Sequence, residues 1–121
     1  MIGVPVFIDA HAMLALLDRD DAEHDSARFE LDMSLETHGA LVSTNYEIVK
    51  ASLLVQERHG VVGLETLLRS LAPLFRTQWC SAEEHEAAVD MLLLSPGTEQ
   101  DLVTALSHLV MRRRDLQPLL R

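Results

Sequence analysis

The chain has 121 residues, 48% apolar and 24% charged, and nineteen acids against ten Lys and Arg give it a formal charge of −9. That length suits a single domain over 1–121 and is too short for two, and the composition excludes a disordered chain, a collagen-like repeat and a coiled-coil rod. The longest unbroken apolar stretch, Ala12 to Leu17, is six residues, against the ~20 of a spanning helix, so no membrane partner is expected. The start, MIGVPVFID, lacks a basic segment ahead of a long apolar one, so no signal peptide is expected. A single cysteine, Cys80, leaves no internal disulfide and fits a reducing, cytoplasmic setting.

In chain order, Val4 to Ile8 is a short continuous apolar run, the pattern of a strand buried on both faces, with Pro5 near its start. Ala12 to Leu17 reads as a helix. Asp21 to about Glu36 reads as a second, amphipathic one, with Ala27, Leu31 and Leu35 on one side. After the Gly39 break, Ala40 to Val42 is a second strand. Thr44 and Glu47 have capping-box spacing for a helix that Gly60 closes. Leu64, Leu67, Leu68, Leu71, Leu74 and Phe75 form a 3.6-residue stripe ending at Pro73, and Thr77 to Cys80 is a third strand. Ser81 and Glu84 cap a helix that stops at Ser95-Pro96-Gly97. Leu102, Ala105, Leu106, Leu109 and Val110 mark the last helix, and Leu116 to Leu120 a final strand. Alternating strands and helices imply parallel strands joined by right-handed crossovers. The expected fold is therefore an α/β three-layer sandwich, a short parallel sheet flanked by helices. Ligands in such sheets bind beyond the carboxyl ends of the strands, which directs attention to Asp9–His11 and Ser43–Glu47.

Charge and aromatic content narrow the function. Eight acids lie between Asp18 and Glu36 against only Arg19 and Arg28, while the tail carries Arg112, Arg113, Arg114 and Arg121. The overall field repels phosphate backbones, and five aromatics are too few for the stacking platforms of an RNA-recognition sheet or an oligonucleotide-binding barrel.

Three blocks then carry a resemblance: VFIDAHAMLALLDRDDAEH, LVSTNYEIVKASLL and DLVTALSHLVMRRRDL. In order and spacing they resemble a PIN domain of the VapC toxin kind, a fold of metal-dependent RNA nucleases. The resemblance implies Mg²⁺ or Mn²⁺ held by three or four carboxylates. Carried over by position, the first acid is Asp9, the second falls on Lys50 and the third on Thr104. A fourth would follow the last strand, where this chain reaches Arg121. The polar residue expected two positions after the first acid is His11. With one acid of four, the implied reading is a PIN-like domain whose nuclease site is lost, with no cofactor expected and Asp9 the one candidate metal ligand. Its residual role would be binding: self-association as the homodimer common in the family, an antitoxin-like partner, or weak RNA contact.

The alternative is an active Mg²⁺- or Mn²⁺-dependent endoribonuclease with a rearranged site at Asp9, Glu47 and Asp101, the last two lying one helical turn before Lys50 and Thr104. Against it, Glu47 and Asp101 have the N3 spacing of capping boxes from Thr44 and Thr98. Lys50 either snorkels to solvent or takes the metal's place and pairs with a poorly solvated Asp9. Asp9-Ala-His11 with His108 is a further candidate ligand set for a softer metal, against the simpler reading of hydrogen-bonded histidines.

Overall fold

The computed structural model describes residues 3–95 and 100–120. Four strands, β1 (Val6–Phe7), β2 (Leu41–Thr44), β3 (Arg76–Gln78) and β4 (Gln117–Pro118), form an all-parallel sheet in the order β3-β2-β1-β4. Helices α1 (Ala10–Leu17) and α2 (His24–Glu36) cross from β1 to β2, and α3 (Asn45–Thr66) leads from β2 towards β3. Helices α4 (Ala82–Leu93) and α5 (Leu102–Arg114) connect β3 to β4. The parallel three-layer sandwich expected from the sequence is the observed architecture.

The period-two alternation of the central strands decides which layer each side chain joins. Ile8 and Leu41 face a core built with Met13, Leu14, Val55, Leu67 and Leu71, whereas Phe7 and Val42 face one built with Ala105, Leu106, Leu109, Val110 and Leu116. Phe7, Ile8, Met13, Leu67 and Leu106 are fully buried, so the two short central strands are wrapped on both sides, as their unbroken apolar runs require. No helix among the described residues is long and apolar enough to cross a membrane.

Several boundaries differ from the sequence reading for identifiable reasons. The first helix starts two residues earlier, at Ala10, because Asp9 caps it. Along α2, Ala27 and Leu31 are buried but Leu35 is 44% exposed, and Ser34 takes the inner position instead. Gly60 kinks α3 rather than ending it. Its φ of 68° with ψ of −159° lies in a region open essentially to glycine, and the helix resumes beyond it because Leu67 and Leu71 of the aliphatic stripe still reach the core. The stripe ends in a π-helical turn (Leu67–Leu71) and a 3₁₀ turn (Ala72–Leu74) that accommodates Pro73. Beside the kink, buried Asp18 accepts a bond from Arg58 Nη1 at 3.1 Å and fastens the end of α1 to α3. The proposed stop at Pro96-Gly97, the capping residue Thr98 and the terminal Arg121 lie outside the described residues.

Candidate functional site

A cavity of about 230 Å³ opens at the carboxyl ends of β1 and β2, lined by Asp9, His11, Glu47, Lys50, Thr104 and His108 among others. The topology therefore brings together the residues that follow the first strand, the start of α3 and one side of α5. Asp101 lies outside this lining.

Asp9 follows β1 and becomes the N-cap of α1, its Oδ1 accepting the Ala12 N–H at 2.8 Å. The expected poorly solvated carboxylate is instead exposed, since the strand ends at Phe7, two residues before it. A helix N-terminus leaves its first N–H groups without partners, and a carboxylate there gains both a hydrogen bond and the positive end of the helix dipole.

Glu47 is the buried acid of the site, 3% exposed. Its backbone N–H donates to Thr44 Oγ1 at 3.1 Å, as the capping spacing anticipated. Its carboxylate does not complete that box. Oε1 accepts the Ala10 N–H at 3.0 Å and Oε2 accepts the Ser107 hydroxyl of α5. Burial pushes the carboxyl above its ordinary value, with the negative charge of Asp9 adding to the rise, while the bonds from Ser107 and Ala10 and the charge of Lys50 act against it. Ser107 was absent from the sequence reading. The available signal was a hydroxyl at Thr104+3, on the side of α5 that also presents His108 and Met111 to the cavity.

Lys50 does not pair with Asp9. Its ammonium donates to Asp101 Oδ2 at 2.9 Å, across from α3 to the start of α5. Asp101 is itself the N-cap of α5, with Oδ1 accepting the Thr104 N–H at 2.8 Å, rather than the N3 residue of a Thr98 box. Burial resists its ionisation, but the bonds from Lys50 and Thr104 outweigh that and bring its carboxyl down to about 2. With Asp101 at the N-cap, its free oxygen lies within reach of Lys50.

A hard divalent cation is held mainly by several anionic oxygens. Here one oxygen of Asp9 is engaged in capping, both oxygens of Glu47 are engaged by internal donors, Thr104 is neutral, and Lys50 places a cation on the cavity wall. Among the described residues no three His, Cys, Asp or Glu side chains are grouped to hold a metal ion, so Asp9, His11 and His108 share the cavity without forming a ligand set.

No protein-family model matches the chain, and no curated protein does. Among solved structures, VapC20 of Mycobacterium tuberculosis, a PIN-domain toxin described as cleaving the sarcin–ricin loop, is similar with a TM-score of 0.80 and 23% identity. The match covers 93% of this chain and 85% of that one. The chain has a PIN-like fold. The PIN-like sheet places Asp9 at its carboxyl edge, as the motif blocks implied, and the order of elements agrees with the resemblance drawn from them.

Three outcomes follow from this geometry. The Lys50→Met and Asp101→Asn variants should show a coupling of about 0.2–1 kcal/mol in a urea-melt double-mutant cycle, the range of partly exposed ion pairs. The Lys50→Met and Asp9→Asn cycle should fall within about 0.5 kcal/mol of zero. For Glu47 the folded carboxyl titrates above its ordinary 4.5, so the stability it supports is full below that value and is lost as pH rises through the folded one. Glu47→Gln, whose amide can both accept from Ala10 and donate to Ser107, should therefore gain on the wild type from pH 5 to pH 8 in urea midpoints. Parallel pH curves for the two proteins would refute this.

Proposed function

We propose that residues 1–121 form one PIN-like domain related to VapC-type toxin ribonucleases in which the nuclease site is lost and the remaining role is binding. The observation that carries this reading is the Lys50–Asp101 ion pair: the position of the family's second acid holds a cation, and one of the acids that might have compensated is spent neutralising it. Glu47 supports the same reading, because its oxygens face internal donors and its burial favours the neutral form. With such a donor set, a Mg²⁺ or Mn²⁺ ion would have to shed water for little return. One feature favours the rearranged nuclease at Asp9, Glu47 and Asp101: Glu47 does lean towards Asp9, as a displacement of one turn required.

Calorimetry with Mn²⁺ separates the readings. The wild type should give no binding heat at micromolar metal, and RNA should not be cleaved in its presence. A micromolar-affinity signal and a Mn²⁺-dependent cleavage, both abolished by Asp9→Ala, would establish the active alternative.

The binding role we assign first is self-association in the cytoplasm; an antitoxin-like protein and weak RNA contact through the exposed Arg112–Arg114 are further occupants that the resemblance implies. Self-association is supported by an apolar groove between the starts of α3 and α5, about 590 Å³, lined by Tyr46, Val49, Leu53, Leu102 and Val103. Val49 is 60% and Leu53 66% exposed, an apolar face too continuous to be scattered surface hydrophobes. Light scattering at micromolar concentration should give a dimer, and Leu53→Glu should return a particle of 13.5 kDa. A wild-type monomer would remove this assignment.

A further inference from the structure

The acidic helix α2 is used neither by the cavity nor by the groove. Its inner side, Ala27, Leu31 and Ser34, is buried, and the helix packs on α1. At the helical advance per residue, Phe29 and Met33 fall together on the opposite, outermost face, one turn apart, and Asp25, Asp32 and Glu36 fall on that same face around them. Phe29 is 62% exposed and Met33 42%. Arg28 offsets only Asp32, at 3.3 Å, and among the described residues Asp25, Glu30 and Glu36 make no ion pair.

The acids alone would keep this helix solvated, and a single exposed hydrophobe would need no explanation. An aromatic ring and a thioether stacked one turn apart, standing in water at the centre of the most acidic stretch of the chain, are different. They offer a partner an apolar centre with a charged rim, the arrangement of a specific interface. We propose that the outer face of α2 docks a basic amphipathic helix of another protein, with apolar side chains one turn apart covering Phe29 and Met33 and Lys or Arg side chains meeting Asp25, Asp32 and Glu36. Charge selects this class of partner: the same acids repel nucleic acid. A second copy of the chain is a poorer fit. Its basic segment, Arg112–Arg114, is flanked by Leu109, Val110 and Leu116, which are buried and cannot cover the ring. No residue of α2 lines the Asp9 cavity, so this docking stands apart from the fate of the nuclease site.

The test uses the full chain and a synthetic helical peptide about four turns long, with Leu one turn apart on one face and Lys elsewhere. Two control peptides carry Ser for every Leu, or Glu for every Lys. Amide shifts in a ¹⁵N-labelled protein at physiological salt should concentrate on residues 25–36, and neither control should produce them. Phe29→Ser with Met33→Ser should weaken binding by roughly tenfold or more, at an unchanged urea midpoint because both side chains are exposed. Asp25→Asn with Asp32→Asn and Glu36→Gln should weaken it and flatten its salt dependence. Shifts spread over the acidic surface, equal binding of the Ser peptide, or undiminished binding by the Phe29 and Met33 variant would each overturn the proposal. A dimer of the wild type dissolved by the Phe29 and Met33 variant would overturn it in favour of a second copy.

Discussion

The carboxyl of Glu47 is the point on which the carboxyl edge of the sheet depends. It is buried where α1, α3 and α5 converge, and its two oxygens take one donor from each of the flanking helices, the Ala10 N–H and the Ser107 hydroxyl. A buried polar group is costly unless paired, so these two donors are as much required by Glu47 as Glu47 is by them. The Ala10 N–H belongs to the first turn of α1 and has no partner within its own helix. A single side chain thus supplies the missing acceptor at the start of one helix and fixes the approach of another. Ser43 completes the tie one layer below, donating to the Ile8 carbonyl at 2.7 Å and holding β2 against β1 just before both chains turn into helices.

The same demand explains why acids persist at this edge without forming a cluster. Asp9 caps α1, Asp101 caps α5 and Glu47 serves the Ala10 N–H, so each of the three answers a helix N-terminus. Helix starts accumulate at the carboxyl ends of parallel strands because every crossover begins there, and each start offers unpaired N–H groups and a positive dipole end. A carboxylate in that setting has a structural use whether or not a cation is near. Lys50 is accommodated for the same reason: Asp101 spends one oxygen on its cap and has the other to give, and the pair lies at the surface, where neither charge is deeply desolvated.

The sequence was most legible where periodicity and capping agree. The continuous run before Asp9, the Thr44 and Ser81 helix starts and the stripe from Leu102 to Val110 sit in the elements they implied, and Ser81 with Glu84 forms both bonds of its capping box. The site was legible as a set of neighbours but not as a set of contacts. Thr44 and Glu47 show why: the spacing fixes the backbone bond between them, but a glutamate carboxyl has several bonds of reach. Its destination was decided by an α1 N–H thirty-seven residues away and an α5 hydroxyl sixty residues away. For Lys50 the sequence offers snorkelling or a pair with Asp9 but not Asp101, because whether Asp101 sits at the cap or inside the helix is a shift of a few residues that periodicity does not resolve. Gly60 was misread because a glycine in a helical pattern permits a stop and a kink alike, and only the burial of Leu67 and Leu71 beyond it selects the kink.

The fold and the chemistry of its edge are separable here for a physical reason. What holds the PIN-like sandwich together is the two apolar layers on the central strands and the acceptors at the helix starts, and none of these requires an acid at the positions of Lys50 and Thr104. In a protein whose carboxylates do double duty as caps, exchanging an acid for Lys50 removes a candidate ligand yet leaves the caps of α1 and α5 in place. Such a change costs the scaffold little while it alters what the cavity can hold, so the fold alone does not carry the activity. The charge distribution makes the same separation on a larger scale: eight of the acids lie between Asp18 and Glu36, none of them lining the Asp9 cavity, and Arg112–Arg114 are exposed at the end of α5. Electrostatics therefore acts on this molecule through its outer surfaces, and the groove beside α3 and α5 and the outer face of α2 are where a binding function has material to work with.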